Sequence, residues 1–172
     1  GRSLDISEKA IRDYLQIAEG SYIWRNTPSY EKSASKSVVK MPKGNFRDSG
    51  LSNFFQGVTQ RQQLLNYPNV GAAFEAFVSE EIIKGIQAAE IVNWNYYYFR
   101  TRNGAEIDMI LEGPFGTLPI EIKFGSMVQP RQIQTLKKFV FTNNLPLGIV
   151  INNSDAIQLI AERILQLPAT CI

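Results

Sequence analysis

Two carboxylates sit where apolar residues belong. In "NGAEIDMILEGPFGTLPIEIKFG", residues 103 to 125, Asp108 and Glu121 interrupt apolar runs, and Lys123 follows two positions after Glu121. Paired acids with an open coordination sphere suit Mg²⁺ or Mn²⁺, hard cations that take oxygen ligands and keep waters. A lysine beside metal-bound water helps to orient or deprotonate it, and the metal stabilises charge that develops on a phosphate during hydrolysis. Histidine is absent and Cys171 is the single cysteine, which excludes His-based general bases, Cys/His zinc sites and intrachain disulfides. Catalysis in this chain would rest on carboxylates, Lys or Tyr.

The elements that must position these groups follow from alternation. On one strand Ile107, Met109 and Leu111 share a face opposite Glu106, Asp108 and Ile110; on the next, Ile120, Ile122 and Phe124 oppose Glu121 and Lys123. Asn103-Gly104 signals a two-residue type I′ hairpin, which pairs Asp108 with Phe99 and Ile110 with Tyr97. A second turn at Gly113 to Gly116 then sets Asp108 opposite Glu121. Side chains so opposed have Cβ atoms about 5 Å apart, where like charges destabilise a sheet. The face could simply be wet, but Phe99, Tyr97 and Ile110 share it. Burying two unpaired carboxylates there costs several kcal/mol, roughly, unless something positive compensates. Lys123 supplies one charge and a divalent cation would supply the other.

Flanking segments complete an α/β pattern. "PNVGAAFEAFVSEEIIKGI" carries Val70, Ala73, Phe74, Phe77, Val78, Ile82 and Ile86 as one helical stripe, with Glu75 at its edge. "PRQIQTLKKFVFTNN" places Ile133, Leu136, Phe139 and Val140 on one helix face, and "PLGIVIN" reads as a buried strand. "DAIQLIAERILQL" is expected to form a last amphipathic helix, giving the order helix, three strands, helix, strand, helix. Upstream, "DISEKAIRDYLQIAEG" predicts a helix capped by Ser7, and "SYIWR" a strand. This piece reads as a small helical appendage or the tail of a winged helix. Residues 31 to 43 have linker composition, with Lys32, Lys36, Lys40 and Lys43 as a solvated or phosphate-contacting stripe. Asp48 or Ser49 caps a short helix from near Leu51. Arg100 and Arg102 could reach phosphates or border solvent, as could the helix face with Arg131, Gln132, Lys137 and Lys138; Gln132 is a candidate accessory residue near the site. The aromatics of "WNYYYF" read as core packing before base stacking.

Bulk properties bound the reading. The 172 residues, 44% hydrophobic, suffice for one ordinary domain with a small appendage. Residues 1 to 65 carry ten Lys/Arg against six Asp/Glu, and the remainder eight against ten, so the basic half could meet phosphates. No apolar run approaches a membrane span and no signal-peptide pattern opens the chain, so a soluble, cytoplasmic protein is expected. GxxxxGK[ST] is absent, so no ATP site is expected here. An initial Gly without Met suggests a piece of something longer.

Asp, about a dozen residues, then Glu-x-Lys on the next strand, preceded by a Glu-bearing helix, resembles the PD-(D/E)XK nuclease superfamily. Its αβββαβ core order matches residues 70 to 151. "KMPKGNFRDSGL", "PNVGAAFEAFVSEEI", "YYYFRTRNGAEIDMILEG" and "LPIEIKFGS" are further similar to successive blocks of the uncharacterised C-terminal domain of many prokaryotic AAA-type ATP-binding proteins, a domain regarded as related to these nucleases. The resemblance implies a mixed sheet flanked by helices over residues 36 to 172 and a winged-helix remnant over residues 1 to 35. It places the helix glutamate on Glu75, the metal-binding aspartate on Asp108, and Glu-x-Lys on Glu121 and Lys123. It implies Mg²⁺ or Mn²⁺ as cofactor, DNA or other nucleic acid as substrate, and an N-terminal ATPase module in the full-length protein. "GNF" at 44 to 46 departs from the expected strand residues. The alternative is a non-catalytic binding or oligomerisation module of the ATPase with a degenerate nuclease site.

Overall fold

A computed structural model describes residues 6–30 and 41–172. Helix α1 spans Glu8–Gly20, and the Ser7 hydroxyl caps it by accepting the Ala10 amide at 3.2 Å. Strand β1, Trp24–Thr27, pairs antiparallel with β2, Lys43–Phe46. The linker expected up to residue 43 therefore ends earlier, and "GNF" is strand after all. Pairing with β1 overrides weak strand propensity there. Gly44 is required, because a Cβ at that position would collide with the Trp24 indole. Lys32, Lys36, Lys40 and the expected boundary between residues 35 and 36 lie outside the described residues.

Asp48 accepts the Leu51 amide at 2.6 Å and so starts α2, Ser49–Phe55, which is followed by α3, Arg61–Leu65, and the long α4, Val70–Ala88. A mixed six-stranded sheet carries the core. Its strands are β3 (Asn95–Arg100), β4 (Glu106–Gly113), β5 (Gly116–Lys123), β6 (Gly148–Asn152), β7 (Gln158–Ala161) and β8 (Ile164–Pro168), ordered β3-β4-β5-β6-β8-β7. β4 runs antiparallel to both β3 and β5, whereas β6 lies parallel to both β5 and β8. Between β5 and β6 a 3-10 turn, Pro130–Ile133, leads into α5, Gln134–Thr142.

Helices cover both faces, as the apolar strand patterns require. On one side Ile133, Leu136, Phe139 and Val140 meet Ile107, Ile110, Val150 and Ile164. On the other, Val78 and Ile83 meet Met109, Leu111, Ile120, Ile122 and Ile151. Tyr98 and Phe99 are buried, so that part of the aromatic run is core. Among the described residues no helix is long and apolar enough to cross a membrane.

Three sequence expectations change. The last segment is a hairpin, β7 and β8, and not a helix: burial alternates along Ile164–Pro168, β6 offers β8 a parallel partner, and Arg163 turns the chain at φ 57°. The β3–β4 loop has three residues, Arg102 to Gly104, closed by Thr101 N–H donating to Ala105 O at 2.8 Å. Gly104 takes φ 83° and Asn103 stays out of the left-handed region, whereas type I′ needs both there. Third, the register shifts between Tyr97 and Phe99, so that Phe99 pairs with Ile107 and not with Asp108, although Tyr97 does pair with Ile110. Asp108 and Met109 thus form a bulge opposite Tyr98. Ile107 consequently joins Ile110 in one core, while Met109 and Leu111 join the other.

Candidate cation site

The bulge and the end of the β4–β5 ladder determine where Asp108 goes. The ladder runs from Gly113↔Gly116 back to Met109↔Ile120, one step short of setting Asp108 against Glu121. Asp108 Oδ2 instead accepts the Ile122 backbone amide at 2.7 Å. Its side chain is 7% exposed, as is that of Glu121. Lys123 joins the two: its Nζ lies 2.5 Å from Glu121 Oε1 and 3.6 Å from Asp108 Oδ2.

Glu75 approaches from α4. A cavity of about 120 Å³ lies between α4, β2 and β4, lined by Glu75, Asp108, Lys43 and Arg25 among others. Lys43 pairs with Glu75 and, at 3.1 Å, with Glu106. Arg100 lies 3.7 Å from Glu106 and is more than half exposed, so it answers Glu106 at the rim. Gln132 is exposed and its Oε1 accepts the Gln129 amide at 2.7 Å, closing the 3-10 turn that precedes α5. Lys43, expected in a solvated or phosphate-contacting linker stripe, instead belongs to this cluster; nothing in "KSVVKMPKGNF" reveals that its strand docks against α4.

Charges inside the cluster do not balance. Glu75, Asp108 and Glu121 share Lys43 and Lys123, and Lys43 also serves Glu106, so the acids outnumber the ammonium groups. Burial pushes the Glu121 carboxyl up to about 8, Asp108 adds to the rise, and Lys123 only partly opposes it. Glu75 is raised as well, by burial first and Asp108 second, with Lys43 pulling the other way. Burial works against the charge on Lys123, but Asp108 and Glu121 outweigh it and hold the ammonium above its usual range. The second Glu121 oxygen, Oε2, is buried with no hydrogen-bond partner. A cation ligated by Asp108 and Glu121 would satisfy that oxygen, so these two side chains fit Mg²⁺ or Mn²⁺. Among the described residues no three His, Cys, Asp or Glu side chains form a ready-made cage, and Glu75 is engaged by Lys43.

Beside the cluster runs a larger groove of about 380 Å³ that shares Gly44, Asn45, Ala72 and Ala76 with the small cavity. Arg47 and Lys84 line it. At its base lies a buried ion pair that sequence reading missed. Arg25 grips Glu80 through Nε at 2.5 Å and Nη2 at 2.9 Å, Arg25 Nη1 donates to Tyr96 Oη at 2.9 Å, and Arg47 approaches Glu80 at 3.6 Å. α4 is therefore rotated from the expected stripe: Phe77 is 44% exposed, while Glu80 and Ile83 are buried. The signal was the Glu80-Glu81 doublet on a helix whose apolar face is broad enough to take one of them inward.

Fold and site together define a mixed α/β domain with a buried carboxylate–lysine cluster at one end of the β4–β5 hairpin. Residues 70–172 match the family described as "Domain of unknown function (DUF4143)", and the chain belongs to that family, a C-terminal domain of AAA-ATPase-like proteins in general. Residues 1–62 match a second family of unknown function, DUF8612. Uncharacterised proteins of Mycobacterium bovis and Mycobacterium tuberculosis are each 32% identical to the chain over 111 residues, which is 64% of the chain and 24% of each relative. The chain thus spans about a quarter of the length of these curated relatives.

Proposed function

We propose that this domain hydrolyses phosphodiester bonds in DNA or another nucleic acid, with Mg²⁺ or Mn²⁺ held by Asp108 and Glu121. The observation that carries this reading is the buried, unpartnered Oε2 of Glu121 beside a second buried carboxylate. When bound, the cation supplies charge that stabilises the phosphoryl oxygens and acidifies a water. Lys123, in contact with both acids, would orient that water by donating a hydrogen bond to it. Glu75 positions water from the α4 side.

The order α4, β3, β4, β5, α5, β6 supports a PD-(D/E)XK-like core. In this reading α1 and β1 are the remnant of a winged helix, an ATPase module of the full-length protein is the partner, and the setting is cytoplasmic. The test is cleavage of single- and double-stranded DNA and RNA with Mg²⁺ or Mn²⁺. Cleavage by the wild type that disappears in Asp108→Ala supports the reading; no cleavage of any of them, or cleavage retained in Asp108→Ala, refutes it.

A second reading has its own support, because Lys123 on Glu121 and Lys43 on Glu75 already pair two of the three acids. The domain would then be a non-catalytic binding or oligomerisation module with a structural ion cluster. Micromolar Mn²⁺ binding abolished by Glu121→Gln argues against it.

A further inference from the structure

Lys43 reaches the cluster from outside the residues that match DUF4143. Its ammonium touches Glu75 and lies 3.1 Å from Glu106. Its strand is held on both sides of it: Tyr98 Oη donates to the Met41 carbonyl, and Gly44 lies under the Trp24 indole. So fastened, β2 presents a positive charge to the same cavity that Asp108 and Glu75 line. Two cations sharing one set of carboxylates repel each other, and Glu75 cannot turn fully to both. The flexible four-carbon stem lets the ammonium swing away while β2 stays paired, and the side chain is 36% exposed, so water can receive it.

We propose that Lys43 is a resident counter-ion that holds Glu75 away from the divalent cation, so that metal entry displaces it and β2 sets the metal affinity of the site. The inference rests on Asp108 and Glu121 being cation ligands, and it adds that Glu75 joins them only when Lys43 lets go. It also explains why no three-acid cage is formed among the described residues.

Calorimetric titration of Mn²⁺ into the wild type and Lys43→Gln tests this, alongside acetylation of wild-type Lys43 by an amine-reactive reagent, followed by mass spectrometry with and without Mn²⁺. About tenfold tighter binding by Lys43→Gln is expected, as one opposing charge is removed at short range. Faster acetylation of Lys43 in the presence of Mn²⁺ is expected too, and it decides the matter if Lys43→Gln fails to fold. Binding by Lys43→Gln alone also supports the proposal. Equal affinities, or Mn²⁺ protecting Lys43 from acetylation, overturn it and leave the Asp108–Glu121 reading standing. Binding by neither protein overturns both.

Discussion

Asp108 Oδ2 accepts the backbone amide of Ile122 at 2.7 Å, which fastens an acid on β4 to the residue between Glu121 and Lys123 on β5. The bond fixes the spacing of all three charged groups without using a ladder pair. Asp108→Asn can keep that acceptor while dropping a charge that opposes ionisation of Glu121. Asp108→Ala leaves a buried amide unpaired, which costs about 1–3 kcal/mol. In the absence of metal, Asp108→Asn is therefore expected to melt at or above the wild type and Asp108→Ala below it, by differential scanning calorimetry. Both variants should lose Mn²⁺ binding.

Stability of the metal-free protein should fall as pH rises from about 4.5 to about 8, the ordinary and raised positions of the Glu121 carboxyl. The folded protein keeps a proton there that the unfolded chain has released. Folding thus gains most below the unfolded value and loses that gain as the folded group ionises. Thermal midpoints measured against pH in EDTA should show this slope, and Glu121→Gln should flatten it.

Much of this arrangement is legible from residue order because it is local. Leu136, Phe139 and Val140 lie on the α5 face that is buried, Ile133 is buried in the turn just before it, and Ser7 and Asp48 cap the helices they precede. Glu-x-Lys at 121 to 123 marks the strand that brings Lys123 beside two acids. What failed depended on distant partners. β8 is a strand because β6 offers it an edge, although its residues also fit a helix stripe. Glu80 turns inward because β1 delivers Arg25 from 55 positions away. The bulge at Asp108 breaks strict alternation, and no residue type in "AEIDMIL" announces it. Lys43 was illegible for the same reason: its strand exists only once β1 pairs with it.

Removing one partner of the Arg25–Glu80 pair leaves the other's buried charge with weaker contacts, such as Arg47 at 3.6 Å for Glu80 or Tyr96 for Arg25, and both residues are under a tenth exposed. Arg25→Ala or Glu80→Ala is expected to cost about 3–5 kcal/mol. The double variant should lose much less than the sum, and urea denaturation of the three proteins measures that difference.

Gly44→Ala introduces a methyl group into the face of Trp24. Displacing the indole is expected to cost about 1–3 kcal/mol and to loosen β2. Because β2 carries Lys43, hydrogen exchange should rise at Lys43–Phe46 more than at β5.

The central claim, that Asp108 and Glu121 share a cation, is tested most directly by soaking crystals in Mn²⁺ and collecting anomalous diffraction at the manganese edge. An anomalous peak within ligand distance of both carboxylates, and absent from Glu121→Gln crystals, is the expected result. No peak at that position under saturating Mn²⁺, with Lys123 still against Glu121 Oε1, would contradict the account.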